Sequence, residues 1–322
     1  MQRRPLLLLA AAALLPAIAL AQTPPDWPTR PVRMLVGSAP GGGTDAMARA
    51  VADRLAPLLR QPVVVENRPG VSNTLAADMA AKSADGHTMV MGVVTAHAIA
   101  PHLLRLGYDS NRDLVPVAYV GSVPNVLVVG NALPASSVQA LVALAKKEPG
   151  KINFASSGTG STQHIAAEMF KDAAGIELTH VPYKGSAAAL VDLVGGQVQM
   201  SFDTMPSVIG QIRAGKLRAL GVTSPRRNAQ LPQVPTLAEA GLPGVEIGAW
   251  YGIYMPAATP RAVQARVHDE VNKVLALPET RTRLEAVGAE LQPMGQAEFI
   301  AFHTAEYQRF GEIIRKNHIK ID

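Results

Sequence analysis

The stretch Val36-Gly37-Ser38-Ala39-Pro40-Gly41-Gly42-Gly43-Thr44-Asp45, "VGSAPGGGTD", ends an apolar run, strings three glycines together and opens a helical pattern. Before it, Val32 to Val36 reads as a buried strand. After it, Met47, Val51, Leu55 and Leu58 recur at helical spacing, which predicts a helix from near Thr44 to before Pro62. A glycine-rich turn from strand into helix gathers bare backbone N–H groups at the positive end of a helix dipole, and that combination suits an anion.

Working outward, Val63 to Val65 and Met89 to Val94 read as further strands, and the turn signature Glu66-Asn67-Arg68-Pro69-Gly70 closes the first of them. Strand, helix, strand at this spacing predicts a parallel sheet covered by helices. Val126 to Val129 is another strand, followed by a helix around Val138 to Lys147. The alternation then restarts at Ile152 to Ala155, passes through the loop Ser156-Ser157-Gly158-Thr159-Gly160-Ser161-Thr162 and enters a helix marked by Ile165, Met169 and Phe170. Strands at Leu178 to Tyr183, Val198 to Phe202 and Leu217 to Val222 follow. Two amphipathic helices close the chain, one defined by Val263, Val267, Val271 and Val274, the other by Phe299, Phe302, Phe310 and Ile314. Each half thus carries one strand–glycine-loop–helix unit, and two such units facing each other make a clamp beyond the carboxyl ends of the strands.

The chain has 322 residues, 48% of them hydrophobic, which is enough for two lobes. Residues 1–21 read as a cleaved signal peptide: a basic start at Arg3-Arg4, an apolar run and an A-x-A site at Ala19-Leu20-Ala21, leaving Gln22 as the mature N-terminus. Export to the periplasm is therefore expected. The formal charge of +5 falls by two to +3 without Arg3 and Arg4, and aromatic residues make up only 4%. No basic run is interleaved with aromatics, so a nucleic-acid partner is not expected. Zero cysteines exclude disulfides, thiolate catalysis and thiolate metal sites.

Two anions compete for the first loop. Gly41-x-Gly43-x-x-Ala46 satisfies the dinucleotide spacing, and Glu66 stands where a ribose-binding acid belongs. Against it, three consecutive glycines meet such a pattern easily, and Asp45 at the helix start opposes a pyrophosphate. The Lys-Ser/Thr of a P-loop is absent. A carboxylate fits better, since its two oxygens accept several amide N–H bonds at close approach. Neither loop contains Lys or Arg, so binding there rests on amides, hydroxyls and helix dipoles. Candidate ligand-binding residues are Ala39, Pro40, Gly41, Gly42, Thr44 and Asp45 on the first loop, and Ser157, Gly158, Thr159, Gly160 and Ser161 on the second. Thr95, His97 and Asp203 join them from strand ends. Asp203 either accepts from a ligand hydroxyl or amine or caps the following helix; Ser161 or Thr159 serves alternatively as a helix N-cap. No nucleophile elbow, catalytic triad spacing or metal-ligand cluster is present, so neither enzyme activity nor a cofactor or metal is expected.

Six motifs carry a family resemblance: "WPTRPVRMLVGSAPGGGTDAMAR", "QPVVVENRPG", "ADGHTMVMG", "HVPYKGSAAALVDLVGGQVQMSFD", "AGKLRALGVTS" and "LPQVPTLAEAGLPG". In this order they resemble the Bug proteins, periplasmic solute-binding proteins of the tripartite tricarboxylate transporter type. The resemblance implies an α/β, two-lobed class II periplasmic-binding fold, each lobe a mainly parallel sheet flanked by helices. It implies lobe 1 from residues 22–124 and 249–322, and lobe 2 from 125–248. It further implies that the lobes close on a small carboxylate (a di- or tricarboxylate, an amino acid or an aromatic acid) held between the two loops with ordered water. Implied partners are two membrane subunits of a transporter or, in a sensing role, a membrane kinase; a monomer is expected. Where relatives commonly read "PFPPGGATD" and "ASAGNGS", this chain reads "GSAPGGGTD" and "ASSGTGS". Ser38 and Ala39 thus replace bulkier residues and Thr159 replaces an amide, so a relative's ligand does not transfer to this chain.

Overall fold

The structure is a computed structural model that describes residues 27–317 and 319–320, so the predicted signal peptide lies outside the described residues. The quoted stretch folds as expected. Strand β1 (Val32–Val36) is buried at Val32, Met34, Leu35 and Val36, and helix α1 (Gly43–Leu59) buries Met47, Ala48, Val51, Ala52, Leu55 and Leu59 beneath it. Strands β2 (Val63–Asn67) and β3 (Thr88–Val93) flank β1, both parallel to it, with α2 (Thr74–Ala81) between them in sequence. Continuous apolar runs such as β1 and β3 are what a strand covered on both faces requires.

The long strand β4 (Leu114–Gly130) organises the rest. Helix α3 (Val138–Lys147), β5 (Asn153–Ser156), α4 (Thr162–Ala174), β6 (Thr179–Pro182), α5 (Ser186–Val194), β7 (Met200–Thr204), α6 (Met205–Arg213) and β8 (Leu217–Val222) follow it. Strand β9 (Gly248–Pro256) then returns, and α7 (Arg261–Ala276), α8 (Pro278–Glu285) and α9 (Gln296–Lys316) end the chain. The strand order is β2-β1-β3-β9-β4-β7-β5-β6, with β8 on the other side of β4. From Leu114 to Pro124, β4 pairs antiparallel with β9; from Asn125 onward it pairs with β7 and β8 instead. The change of partner falls at Pro124, a residue with no N–H to give to a ladder.

Strand direction places the loops. β3 runs antiparallel to β9, and β9 antiparallel to β4, so the triplet β2-β1-β3 advances with β4 toward Pro124. The triplet β6-β5-β7 is also internally parallel, but β7 runs against β4, ending with Thr204 opposite Asn125. Both triplets therefore deliver their carboxyl ends, and the helix N-termini that follow, to the same junction. The parallel pairs lie within each triplet, and every pairing with β4 or β9 is antiparallel.

Packing follows the pleat. In β4, Leu127 and Val129 enter the large core, while Val126 and Val128 face a smaller one with Ala189, Leu193, Met205, Val208 and Leu231. On β9, Gly252 lets α9 settle onto the sheet: a Cβ there would lie 2.3 Å from Phe299 Cζ, and Phe299 is fully buried. Replacing Gly252 by Ala is expected to lower stability by about 1–3 kcal/mol through overpacking. Urea unfolding of the variant against the parent checks this.

Candidate functional site

The first loop is shaped by the carboxylate of Asp45, which is 3% exposed. Asp45 Oδ2 accepts the N–H of Gly41 at 2.9 Å; both its oxygens accept from Arg49 Nε, at 3.0 and 2.9 Å; and Oδ1 accepts Asn67 Nδ2 at 2.9 Å. Asn67 Nδ2 also donates to the carbonyl of Ser38 at 2.9 Å, so the loop is pinned at both ends. Burial pushes the Asp45 carboxyl up, but the Arg49, Gly41 and Asn67 bonds outweigh it and hold it below the ordinary carboxylate range. The Asp45 side chain is thereby taken up in building the loop. Gly41 turns the chain at φ +80°, leaving Ala39, Pro40 and Gly41 exposed at the tip. Among the described residues, the N–H groups of Gly43, Thr44 and Asp45 in the first turn of α1 find no acceptor.

The second loop is built by different chemistry. Ser161 is the N-cap of α4, its Oγ accepting the His164 N–H at 3.3 Å, so the capping alternative holds there. The N–H of Gly160 donates to His164 Nδ1 at 3.1 Å, which requires that nitrogen to be unprotonated. His164 stacks on His180 with ring centroids 4.1 Å apart, and His180 stacks on Phe154 at 4.7 Å. Burial holds both imidazoles down at about 4, so they are neutral at pH 7 and the 3.8 Å approach of His164 to Glu168 is not an ion pair. Ser157, Gly158 and Thr159 are half-buried, while Gly160 and Ser161 are buried. Ser157 Oγ donates to Gln163 Oε1 at 2.8 Å. At the start of α4, the N–H groups of Thr162 and Gln163 find no acceptor among the described residues.

The segment before α2 reaches the second loop: Ser72 Oγ donates to the carbonyl of Thr159 at 3.3 Å, across 87 residues of sequence. A Cβ at Gly43 would lie 3.5 Å from the Tyr251 hydroxyl and 3.8 Å from Thr204 Oγ1 and Pro206 Cβ, so the α1 N-terminus faces that of α6. Ser72 and Asn73 occupy the left-handed region at φ 55° and 70°, although neither is glycine. Strain of this kind, of order 1–3 kcal/mol per residue, persists where surrounding structure imposes it and clusters at binding clamps. Asn73 packs against Gly37, where a Cβ would come within 2.5 Å of Asn73 Cβ, and donates to Thr95 Oγ1 at 3.0 Å. Thr95 therefore supports the first loop from behind.

His97 is packed into the interior. It is 0% exposed, stacks on Tyr254 at 3.9 Å and bonds Ser110 Oγ at 2.9 Å through Nδ1, because the turn after β3 coils inward as a π-helical segment over Thr95–Ile99. Asp203 is 1% exposed and stands just before α6, whose N-cap Thr204 makes no side-chain cap bond. Its Oδ1 accepts from Gln163 Nε2, Ser186 Oγ and the Thr204 N–H, while Oδ2 is buried without a partner. The ribose-binding position also closes: Glu66 accepts bidentately from Arg33 at 2.8 and 3.0 Å and from Arg68 at 3.2 Å. A surface cavity of about 470 Å³ lined by Ser137, Gln139, Arg218 and Glu239 includes neither loop. Sequence reasoning missed Ser72, Asn73, Gln163 and Tyr251; of these only Gln163 carried a signal, one turn past the second glycine loop.

Comparison with known proteins shows the family. Residues 47–319 match the family model described as "Tripartite tricarboxylate transporter family receptor". The chain belongs to that family. Protein BugT of Bordetella pertussis is 37% identical over 92% of this chain and 91% of its own length. A solved R. palustris structure with adipate is 35% identical, with a TM-score of 0.86 over 92% of this chain and 99% of its own. MatC from Rhodopseudomonas palustris, solved with bound malate, is 31% identical, with a TM-score of 0.83 over 89% and 100%. The fold is the two-lobed α/β fold of periplasmic binding proteins, and the family is one of solute-binding proteins.

His164, His180 and His303 are all held at about 4 by burial. Their folded values lie below the unfolded one, so between pH 6.5 and about 4 the unfolded chain binds more protons and stability falls as pH falls. The expected slope approaches about 1.4 kcal/mol per pH unit for each histidine. Unfolding midpoints in urea from pH 7.5 to 4.5 check this, and His164→Phe, which keeps the stack without titrating, should flatten the curve.

Proposed function

We propose that this protein captures a small carboxylate between two lobes, holds it by closing, and delivers it to the membrane subunits of a transporter from the periplasm. The observation that carries the reading is the pair of pinned glycine loops whose helix N-termini converge with backbone N–H groups unspent. A carboxylate bridging them replaces water at several donors, each charge-assisted bond contributing about 1.5–3 kcal/mol. The lobes divide where β4 changes partners, with residues 22–124 and 249–322 in one and 125–248 in the other, and β4 with the chain entering β9 at Gly248 forms the hinge. The ligand shifts the equilibrium by its differential affinity for the closed state, in which both loops reach it. The proposed contacts are the loop residues from Ala39 to Thr44 and from Ser157 to Ser161, with Asp45, Thr95 and Asp203 holding them in place. Relatives solved with adipate and malate support a carboxylate, and the leader-like residues 1–21 support export. A ligand-sensing role with a membrane kinase uses the same closure.

The test is a thermal-shift screen of refolded mature protein against carboxylates, with NAD included. A bound acid at a hundred times its dissociation constant adds about 2.7 kcal/mol, seen as a rise of a few degrees. A shift with NAD and none with any acid would reject the reading. Gly42→Val is expected to abolish carboxylate binding while the protein stays folded: Gly42 has an ordinary φ of −75°, but its Cβ would sit 3.3 Å from the Ala39 carbonyl and 3.5 Å from Ser38 Oγ. Ser72→Ala removes the bond from the segment before α2 to the second loop and should weaken binding by about two- to tenfold, the worth of one neutral hydrogen bond. Calorimetric titration of both variants checks the two effects.

A further inference from the structure

The second loop carries a hydrogen-bond chain whose direction is set from inside the lobe. Asp203 Oδ1 accepts from Gln163 Nε2 at 3.1 Å, from Ser186 Oγ at 2.9 Å and from the Thr204 N–H at 2.7 Å. An oxygen receiving three donors has no proton of its own; if burial keeps a proton on this carboxyl, it sits on Oδ2, which has no partner. Gln163 must therefore turn its amino group toward Asp203. The same amino group lies 3.2 Å from Ser186 Oγ, which accepts from it while donating to Asp203. Turning the amide over would set its oxygen against the Asp203 carboxylate and against the lone pairs of Ser186, whose proton is already given to Asp203.

With its amino end committed, Gln163 offers only a carbonyl oxygen, Oε1, to Ser157 Oγ at 2.8 Å. Ser157 must then give its one proton to Gln163. What remains on this half-buried hydroxyl is a pair of lone pairs, an acceptor with nothing to donate. Ser157 thus stands as an acceptor among donors, the Thr162 and Gln163 N–H groups at the start of α4 and three more at the start of α1. The hydroxyl and the amides differ in what they can bind.

We propose that Ser157 is a specificity-determining acceptor that selects, among small carboxylates, those carrying a hydrogen-bond donor, a hydroxyl or an ammonium group. This rests on the carboxylate reading above. The carboxylate goes to the amide side; the donor substituent goes to Ser157. An unsubstituted acid leaves Ser157 without a partner, and a second carboxylate placed there meets an oxygen that cannot donate.

Calorimetric titration of refolded mature protein with two matched series tests this: succinate, L-malate and L-aspartate at four carbons, adipate and L-2-aminoadipate at six. In at least one series the substituted acid is expected to bind about tenfold or more tighter than the plain one. Ser157→Ala should bring that ratio close to one while the melting temperature stays near the parent's. Gln163→Leu keeps Ser157 but frees its proton and should also erase the preference. Tighter binding of the plain acid in both series overturns the proposal and assigns the far end of the ligand to a cation such as the exposed Lys184. An unchanged ratio in Ser157→Ala overturns it too. If no acid of either series binds, the carboxylate reading falls as well, an outcome distinct from a lost or reversed preference.

Discussion

The antiparallel pair β4 and β9 is the constraint on which the rest of the molecule depends. β4 is hydrogen-bonded to β9 along its first eleven residues and to β7 and β8 along its last six, so two sheets share one strand. Because one parallel triplet runs with β4 and the other against it, their carboxyl ends arrive at a common junction. Helix N-termini follow strand carboxyl ends, so unspent N–H groups collect there from both sides. β4 runs unbroken through its change of partner and β9 starts beside it at Gly248, so the chain crosses between the two sheets twice at this one place.

Both loops are held in shape by buried polar groups. Asp45 uses its charge on Gly41, Arg49 and Asn67, neutralising the one arginine close to the first loop. On the opposite side, Asp203, Gln163 and Ser186 share bonds with no cation among them. The two loops are therefore shaped by fixed dipoles. Such groups are preorganised, so little side-chain ordering is needed on binding. Their buried partners give them direction, and direction is what distinguishes the Ser157 hydroxyl from the backbone amides around it.

Much of this was legible in the chain. Apolar runs at 32–36 and 89–93 and the 3.6-residue spacing through Leu55 identify their elements, because burial of a strand or a helix face leaves a periodic mark. The two glycine loops were legible for the same reason: glycine between a strand and a helix has a local cause. The first half of β4 and all of β9 were not. Pro116, Gly121 and Pro124 read as breakers, yet bulges beside Pro116 and Gly121 absorb two of them and the change of partner absorbs the third. His97 reads as a residue at a strand end open to solvent, but the chain coils inward there and seats it on Tyr254, a contact spanning 157 positions.

The sequence by itself determined the fold class, the two strand–loop–helix units and the absence of cationic and thiolate chemistry in the loops, since composition and short-range periodicity are local properties of the chain. Tertiary structure alone decided that Ser72 reaches Thr159, that Asn67 and the Asp45 carboxylate pin the first loop, and that Gln163 points its oxygen at Ser157. Each of these depends on which groups are brought within about 3 Å of one another. Strand pairing between segments far apart in the chain sets those distances, and no local pattern of residues encodes them.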